Sequence, residues 1–450
     1  MTEPALVSAA RRREVVDALR RGTVPQAGLD LFAVGMDRFD GAIDDELAGV
    51  AAGGATFKAV RGEYGSGKTF FARWLAERAK RHGMAAAEIQ ISETETPLHR
   101  LETVYRRLVE QLSTAAYPPS ALREIVAAWF YTLEEDVLAA GEVPADAASA
   151  EDMEALASGV DALLERRLAD VARTTPAFAA ALRAYRKATL AGDQATADSL
   201  IAWIGGQPNV AASARRAAGI RGDLDHFAAL GFLQGLLTIL RDSGHPGLLV
   251  VLDEIETLQR VRSDVRDKGL NALRQLIDDI DSGRFPGLYL LITGTPAFYD
   301  GPQGVTRLTP LAQRLATDFG TDPRFDSPRA IQLRLSGFDL PKLAKLGIAI
   351  RDLYAHGSGA EDRIADLVDD DYIAELAKAV AGELGGQVGV APRVFLRKLV
   401  ADVLDRVAEF PDFDPRQHYK LTLSGNELTD VERNAAAFRP DSADEVELDL

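Results

Sequence analysis

The sequence predicts an α/β fold: a doubly wound parallel sheet with a helical insertion and a C-terminal helical lid domain. Two observations carry this prediction. A glycine-rich turn lies between a strand pattern and a helix pattern, and apolar runs that end in polar residues indicate buried parallel strands. The predicted parts are an N-terminal helical segment (1–45), the first part of the core (46–115), the insertion (116–222), the second part of the core (223–335), the lid (336–410) and an extension (411–450).

Composition limits the classes of protein that this chain can represent. It has 450 residues, 47% of them hydrophobic, which favours a folded protein of two or three domains. Cysteine is absent, so disulfides, thiolate zinc sites and cysteine nucleophiles are excluded. No apolar run has membrane-spanning length, and we expect a soluble, cytoplasmic protein without a membrane partner. With a net charge of −17, contact with nucleic acid requires a local basic patch or a partner protein.

The first element of the predicted core is a short strand, "ATFKAV", and the turn after it matches the phosphate-binding pattern G-x-x-x-x-G-K-[ST]. Glycines allow successive backbone N–H groups to turn towards a phosphate. The apolar positions after the turn recur at helical spacing, so a helix N-terminus faces the anion. A chance glycine loop is disfavoured because strand, turn and helix follow in the required order. The predicted ATP-binding residues are Gly62, Glu63, Tyr64, Gly65, Ser66, Gly67, Lys68 and Thr69.

Two residues of this turn have separate predicted roles. Lys68 supplies a mobile positive charge for the outer phosphates of the nucleotide, and we count it among the catalytic residues. Thr69 supplies a hydroxyl for Mg²⁺. The predicted cofactors are therefore ATP and Mg²⁺.

A second strand pattern, "MAAAEIQISETET", precedes the insertion and is predicted to end at Ser92 and Glu93. A third, "GLLVVLDEIETL", ends in the acidic pair Asp253 and Glu254. Open α/β sheets bind ligands at the carboxyl ends of their strands. We predict that Asp253 binds Mg²⁺ and that Glu254 orients or deprotonates the attacking water. The alternative is a solvated acidic pair that closes a strand.

The next strand pattern, "GLYLLITGTPAFYD", ends at Thr293. A polar side chain there could sense the γ-phosphate or position the water, although threonines at strand ends are often turn formers. After it, "VTRLTPLAQRLATDF" offers Arg307 and Arg314 as the arginine that stabilises charge on the γ-phosphate. We prefer Arg314 because Leu311 and Leu315 would form an apolar helix face beside it. A solvated surface arginine is the alternative.

Two helical regions flank the second part of the core. The insertion contains a basic cluster of Arg215, Arg216 and Arg221, which either contacts phosphates or is simply solvated. In the lid, Arg393 follows "GVAP" at a helix start, where it could hold the outer phosphates and couple their loss to movement; a surface position is the alternative. The C-terminal "DSADEVELDL" indicates an acidic tail.

The order of these parts resembles the AAA+ ATPases, on the branch with origin-recognition-like and signal-transduction ATPases. Besides the motifs above, "FAVGMDRFDGAIDDEL" resembles that branch's "vGRe" motif, which lies near the adenine. Val34 and Gly35 match it, whereas Met36 stands where arginine is common.

A narrower resemblance covers most of the chain. "VVDALRRGTVPQAGLDLFAVG", the phosphate loop and "ISETETPLHRLETVYRRLV" are similar to the ATP-binding proteins of bacterial BREX phage-defence islands, the BrxD type. The resemblance implies ATP-driven action beside a helicase, a methylase and other defence proteins on DNA.

We therefore expect an AAA+-like ATPase that drives a conformational or assembly step in an anti-phage complex, with a homo-oligomer as a possible state. The alternatives are a slow nucleotide-gated switch that recruits a partner, and a small-molecule kinase, which Glu254 and the long lid disfavour.

Overall fold

A computed structural model describes residues 7–141, 149–383 and 392–423. Within these residues, five strands form one parallel sheet in the order β2-β3-β4-β1-β5. The strands are β1 Thr56–Arg61, β2 Ala85–Gln90, β3 Leu248–Asp253, β4 Leu288–Gly294 and β5 Gln332–Arg334. The predicted fold class, an α/β fold with a parallel sheet and helical parts, is confirmed.

The α-helices of the described residues are numbered in chain order. They are α1 Ala9–Arg20, α2 Asp40–Ala51, α3 Lys68–Arg81, α4 Leu101–Gln111, α5 Leu122–Ala139, α6 Ala150–Arg167, α7 Ala169–Thr174, α8 Pro176–Leu190, α9 Gln194–Ile204, α10 Ala212–Ala217, α11 Ala229–Asp242, α12 Ser263–Asp281, α13 Pro296–Asp300, α14 Thr309–Arg314, α15 Leu340–Ala355, α16 Glu361–Leu367, α17 Asp370–Glu383, α18 Pro392–Arg397, α19 Asp405–Glu409 and α20 Pro415–His418. A π-helical segment, Lys398–Leu404, joins α18 to α19. Short 3₁₀ turns cover Leu29–Leu31, Asp37–Phe39, Ile255–Gln259, Val305–Arg307 and Pro323–Phe325.

The chain forms two compact units. The first comprises Met1–Ala42, Val60–Glu77 and Asp318–Leu450, and the second comprises Ile43–Ala59 and Arg78–Thr317. The predicted insertion, 116–222, falls within the second unit, and its described residues contain helices α5 to α10. No helix in the described ranges is both long and apolar enough to cross a membrane.

The core of the second unit explains why β3 and β4 are continuous apolar runs. Every residue of both strands is buried, and the neighbours pair in parallel register, for example Leu252 with Ile292. Such strands are covered on both faces, which favours branched apolar side chains over an alternating pattern. Phe232 of α11 packs against aromatic rings from three other helices, with centroids at 5.0 to 5.7 Å: Tyr105, Phe178 and Trp203. Helices of the predicted insertion and the strands contribute to one apolar core.

The first unit is held together by helices from both ends of the chain. The guanidinium of Arg20 in α1 makes two hydrogen bonds to the carboxylate of Asp405, at 2.7 and 2.9 Å. This ion pair raises the pKa of Arg20 above its ordinary value. Tyr354 in α15 donates to the same carboxylate at 2.8 Å. Gly347 lets α15 approach closely, because a Cβ there would lie 2.6 Å from the ring of Phe395.

Candidate functional site

The predicted phosphate loop lies in the first unit, between the last residue of β1 and the first residue of α3. Gly65 and Gly67 adopt positive φ angles of 77° and 93°, which side-chain-bearing residues rarely tolerate. The N–H of Ser66 donates to the carbonyl of Glu63 at 3.1 Å, closing the turn. The N–H of Phe71 donates to the carbonyl of Gly67 at 2.8 Å, which begins the helix. The loop is therefore a glycine-dependent turn that opens a helix.

Gly62 is required for a different reason, the closeness of its neighbours. A Cβ at this position would collide with the hydroxyl of Ser66 and lie 3.3 Å from the carbonyl oxygen of Leu335. The hydroxyl of Ser66 is buried and has no hydrogen-bond partner among the described residues. A buried hydroxyl inside a glycine turn is a donor suited to a phosphate oxygen, so the loop residues fit a nucleotide.

Lys68 is held over the backbone of its own loop. Its ammonium donates to the carbonyl oxygens of Gly62 at 2.9 Å and Glu63 at 3.3 Å. It also lies 5.1 Å from the centroid of the Tyr64 ring, which favours a cation. The side chain is 8% exposed. The structure thus brings Lys68 together with three other predicted loop residues, while Thr69 occupies the first turn of α3.

The segment with Val34 and Gly35 also belongs to the first unit. Gly35 has a φ of 82°, and Val34 is buried. Just before them, the ring of Phe32 packs edge-on against Phe70 of α3 at 5.2 Å. The segment is thereby anchored to the helix that begins at Lys68. Contact of Val34 and Gly35 with an adenine stays a prediction.

In the second unit, Asp253, Glu254 and Thr293 come together at the ends of β3 and β4. Thr293 is fully buried, and its hydroxyl donates to Oδ1 of Asp253. The backbone N–H of Glu254 is shared between Oδ1 of Asp253 at 3.1 Å and the hydroxyl of Thr293 at 3.2 Å. These contacts fix the direction of the Asp253 carboxylate. Thr293 acts in this structure as the residue that positions Asp253.

Glu254 has an unusual backbone. Its φ and ψ of 57° and 43° lie in the left-handed region, which is uncommon for a residue with a side chain. Strain of this kind persists where surrounding structure enforces it, and it concentrates at functional sites. Here the two hydrogen bonds that the Glu254 N–H donates, to Asp253 and Thr293, hold the strained turn. The conformation turns the chain immediately after β3.

Gln90 is a site residue that the sequence analysis missed. Its side-chain amide donates to Oε2 of Glu254 at 2.9 Å. It closes β2, and its Cα pairs with that of Asp253 in the parallel register. The polar Gln90 at the end of the strand "AAAEIQ" could have indicated a site residue. It was missed because the strand was predicted to end later, at Ser92 and Glu93. Gln90 of β2 therefore orients Glu254, and Thr293 of β4 orients Asp253.

Residues 7–423 match the family described as "BREX system ATP-binding protein BrxC/D". The chain belongs to this family. No curated protein and no solved structure matches it. The resemblance to BREX ATP-binding proteins is confirmed over nearly the whole chain, and the family description supports ATP as the ligand.

The predicted arginines of this BREX-family protein occupy different surroundings. Arg314, at the end of α14, forms an ion pair with Asp278 of α12, as does Arg274 at 2.6 Å. Leu311 and Leu315 are buried as the pattern predicted. Arg307 pairs with Asp267 at 3.1 Å. Both carboxylates belong to α12, so neither arginine extends freely.

Arg393 lies in the first turn of α18 and is half-buried. Its guanidinium approaches the turn after α1: a Cβ built on Gly22 would lie 3.6 Å from Nη1. The preceding "GVA" and the predicted acidic tail lie outside the described residues. The sensor role of Arg393 stays a prediction.

For Mg²⁺ the relevant donors are the Asp253 carboxylate and the Thr69 hydroxyl. No group of three or more His, Asp or Glu side chains suited to a metal occurs in the described parts of this BREX protein. Mg²⁺ in nucleotide sites usually takes one or two protein ligands and completes its shell with phosphates and water. The two oxygens belong to different units, and their binding of one Mg²⁺ stays a prediction.

Proposed function

We propose that this BREX-family protein binds Mg·ATP and hydrolyses it to ADP and phosphate, and that its nucleotide state drives a conformational or assembly step in an anti-phage complex acting on DNA. The observation that carries the proposal is the arrangement at the end of β3. A buried Asp253 is oriented by Thr293, and Glu254 presents a carboxylate on a strained turn. The glycine loop with its buried Lys68 supplies independent support for nucleotide binding.

Each side chain has one role in the proposed reaction. The Lys68 ammonium and the loop N–H groups would bind the phosphates, and the Thr69 and Asp253 oxygens would hold Mg²⁺. When bound, Mg²⁺ neutralises charge that develops on the phosphate oxygens. Glu254 accepts a proton from water as the water oxygen bonds to the γ-phosphorus and the bond to the ADP oxygen breaks. Positioning and charge neutralisation supply the catalysis.

The hydrogen bond from Gln90 supports a second candidate function, a slow nucleotide-gated switch that recruits a helicase or another partner. The bond from the Gln90 amide to Oε2 holds the Glu254 carboxylate in one direction, and turning the carboxylate towards a water would cost that bond. Turnover would then depend on an event that releases Glu254. A marked increase in turnover when DNA or a partner is added would favour this gated form.

The remaining roles complete the proposal. Arg393 would sense the outer phosphates from the lid, and Val34 and Gly35 would contact the adenine. Arg314 would act as the arginine finger for a neighbouring copy in a homo-oligomer, which requires it to leave Asp278. Mass photometry with and without ATP and DNA would measure the assembly.

The proposed binding function is tested by thermal unfolding with and without Mg·ATP. At about a hundred times Kd, ATP should stabilise the parent protein by roughly 2.7 kcal/mol. Lys68→Ala should lose most of this stabilisation, because it removes the cation facing the phosphates. Lys187→Ala, at an exposed lysine of α8, is the matched control and should retain it. An unchanged shift in Lys68→Ala would refute the phosphate-loop assignment.

A further inference from the structure

The second unit contains a cavity of about 490 Å³ whose lining residues play no part in the proposed ATPase chemistry. Its volume lies in the range of small-ligand sites. The lining comes from the segment that begins α4, from the turn before α11 and from one side of α12. The polar residues that matter below are His99, Arg100, Glu102, His226, Asp267 and Lys268.

The cavity carries surplus positive charge. Each of its two acidic side chains has an arginine beside it: Arg100 lies 3.3 Å from Oε1 of Glu102, and Asp267 is paired with Arg307. Oε2 of Glu102 lies 3.9 Å from Nδ1 of His226 and is buried without a hydrogen-bond partner among the described residues. Lys268 is exposed and forms no ion pair within the described ranges. One uncompensated ammonium beside two imidazoles is notable in a chain whose net charge is −17, because the average surface repels anions.

The two histidines present further donors to this cavity. His226 accepts a hydrogen bond on Nδ1 from the N–H of Leu101 at 3.4 Å, so its neutral form carries the proton on Nε2. Nδ1 of His99 is buried and has no partner among the described residues. Burial lowers the pKa of His99, and the charges of Arg100 and Lys268 lower it further. An anion in the cavity would offset the repulsion between a protonated His99 and the charges of Arg100 and Lys268.

An aromatic side chain stands next to the cavity. Phe227 is 88% exposed, and its ring meets that of His226 edge-to-face at 5.5 Å. A single exposed apolar residue is ordinary. Beside a cavity lined by cations, however, an exposed aromatic ring provides a surface on which a base of a single strand can stack.

We propose that this cavity and Phe227 bind single-stranded nucleic acid, with a backbone phosphate held by Lys268, His99 and His226 and a base stacked on Phe227. An ammonium and imidazole N–H groups suit the single charge of a phosphodiester. The two arginines that line this cavity, Arg100 and Arg274, already lie beside the carboxylates of Glu102 and Asp278. The site would give the protein direct contact with a strand despite its overall negative charge.

The test is fluorescence anisotropy without added nucleotide, using labelled oligothymidylate and oligouridylate of about 20 nucleotides. Lys268→Glu should weaken binding at least about tenfold, and Phe227→Ala roughly fivefold or more. Both side chains are exposed, so the variants should fold, which circular dichroism would check. The matched controls are Lys187→Glu and Tyr131→Ala, at exposed positions on α8 and α5, and they should bind as the parent does.

Binding of either oligonucleotide that Lys268→Glu and Phe227→Ala weaken supports the proposal. The oligonucleotide that binds more tightly of the two identifies the strand as DNA or RNA. The proposal is overturned if the parent binds neither, if the controls weaken binding as much as Lys268→Glu, or if only a phosphopeptide or inorganic phosphate binds. Lys268→Ala should lower the slope of log binding constant against log salt concentration by about one, and this result would support the contact between Lys268 and a phosphate. Because the assay contains no ATP, its outcome is separate from that of the ATPase proposal.

Discussion

Replacing Thr293 with valine would remove one hydroxyl from a fully buried position while keeping the shape of the side chain. Two hydrogen bonds depend on that hydroxyl, the one it donates to Asp253 and the one it accepts from the N–H of Glu254. A bond to a charged group contributes about 1.5–3 kcal/mol and a neutral one about 1 kcal/mol. Thr293→Val should therefore lower the free energy of unfolding of the second unit by about 2–4 kcal/mol.

The measurement is thermal unfolding followed by circular dichroism, with urea unfolding as a second reading. A loss of about 3 kcal/mol corresponds to a Tm lower by roughly 6–12 °C in a unit of this size. Thr293→Ser keeps the hydroxyl and should cost only about 1 kcal/mol for the missing methyl group. Thr295→Val is the matched control, because Thr295 is also buried but makes no hydrogen bond through its hydroxyl to the described residues.

If Thr293→Val unfolds at the parent's temperature, or if Thr295→Val loses as much stability, the hydroxyl does not hold the Asp253 carboxylate. The positioning role assigned to Thr293 would then be wrong, and its earlier interpretation as a turn former at a strand end would stand.

Three further predictions concern the coupling of ATP turnover to the rest of the chain. Gln90→Ala should raise basal turnover about 2- to 10-fold, because losing a hydrogen bond of about 0.5–1.5 kcal/mol frees Glu254; slower turnover would show that Gln90 assists the base instead. Arg393→Ala should bind ATP but no longer become protected from protease on ATP addition, and retained protection would argue against the sensor role. Arg314→Ala should bind ATP yet turn it over slowly, and mixing it with Lys68→Ala should restore some activity; no rescue, with activity independent of protein concentration, would favour the monomeric switch.

The sequence predicted those parts of the site that a local pattern determines. The glycine turn requires particular backbone angles, and β3 requires burial on both faces, so both leave a direct trace in the residue types. Asp253 and Glu254 were predicted as site residues because they stand where the apolar run ends. Helix α3 begins at Lys68, the next-to-last residue of the motif, whereas the apolar pattern predicted a helix after Thr69.

Contacts between distant residues could not be predicted in this way. The bond from Gln90 to Glu254 spans 164 positions, and its existence depends on the register of β2 against β3. The pairing of Arg314 with Asp278 depends equally on how α14 packs against α12. Strand β5 has only three residues, too few for a periodic signal.

The predicted lid, 336–410, illustrates a second limit. A helix was predicted to start at Arg393, but residues Lys398–Leu404 that follow it are π-helical. The apolar positions of a π-turn and an α-turn differ by a single residue in spacing, so hydrophobic periodicity cannot separate them over seven residues. Buried Lys398 is paired with Asp402 at 3.1 Å within this segment, a contact that an α-helix also allows.

Phosphate release by Glu254→Gln decides whether this chain hydrolyses ATP with Glu254 as the base. The substitution keeps the size of the side chain and removes its basicity. The variant should show the parent's thermal stabilisation by Mg·ATP while releasing phosphate at least about 100-fold more slowly. Glu124→Gln, at an exposed glutamate of α5, is the matched control and should release phosphate at the parent's rate. Turnover by Glu254→Gln close to the parent's, with ATP binding intact, would contradict the account and assign activation of the water to another group.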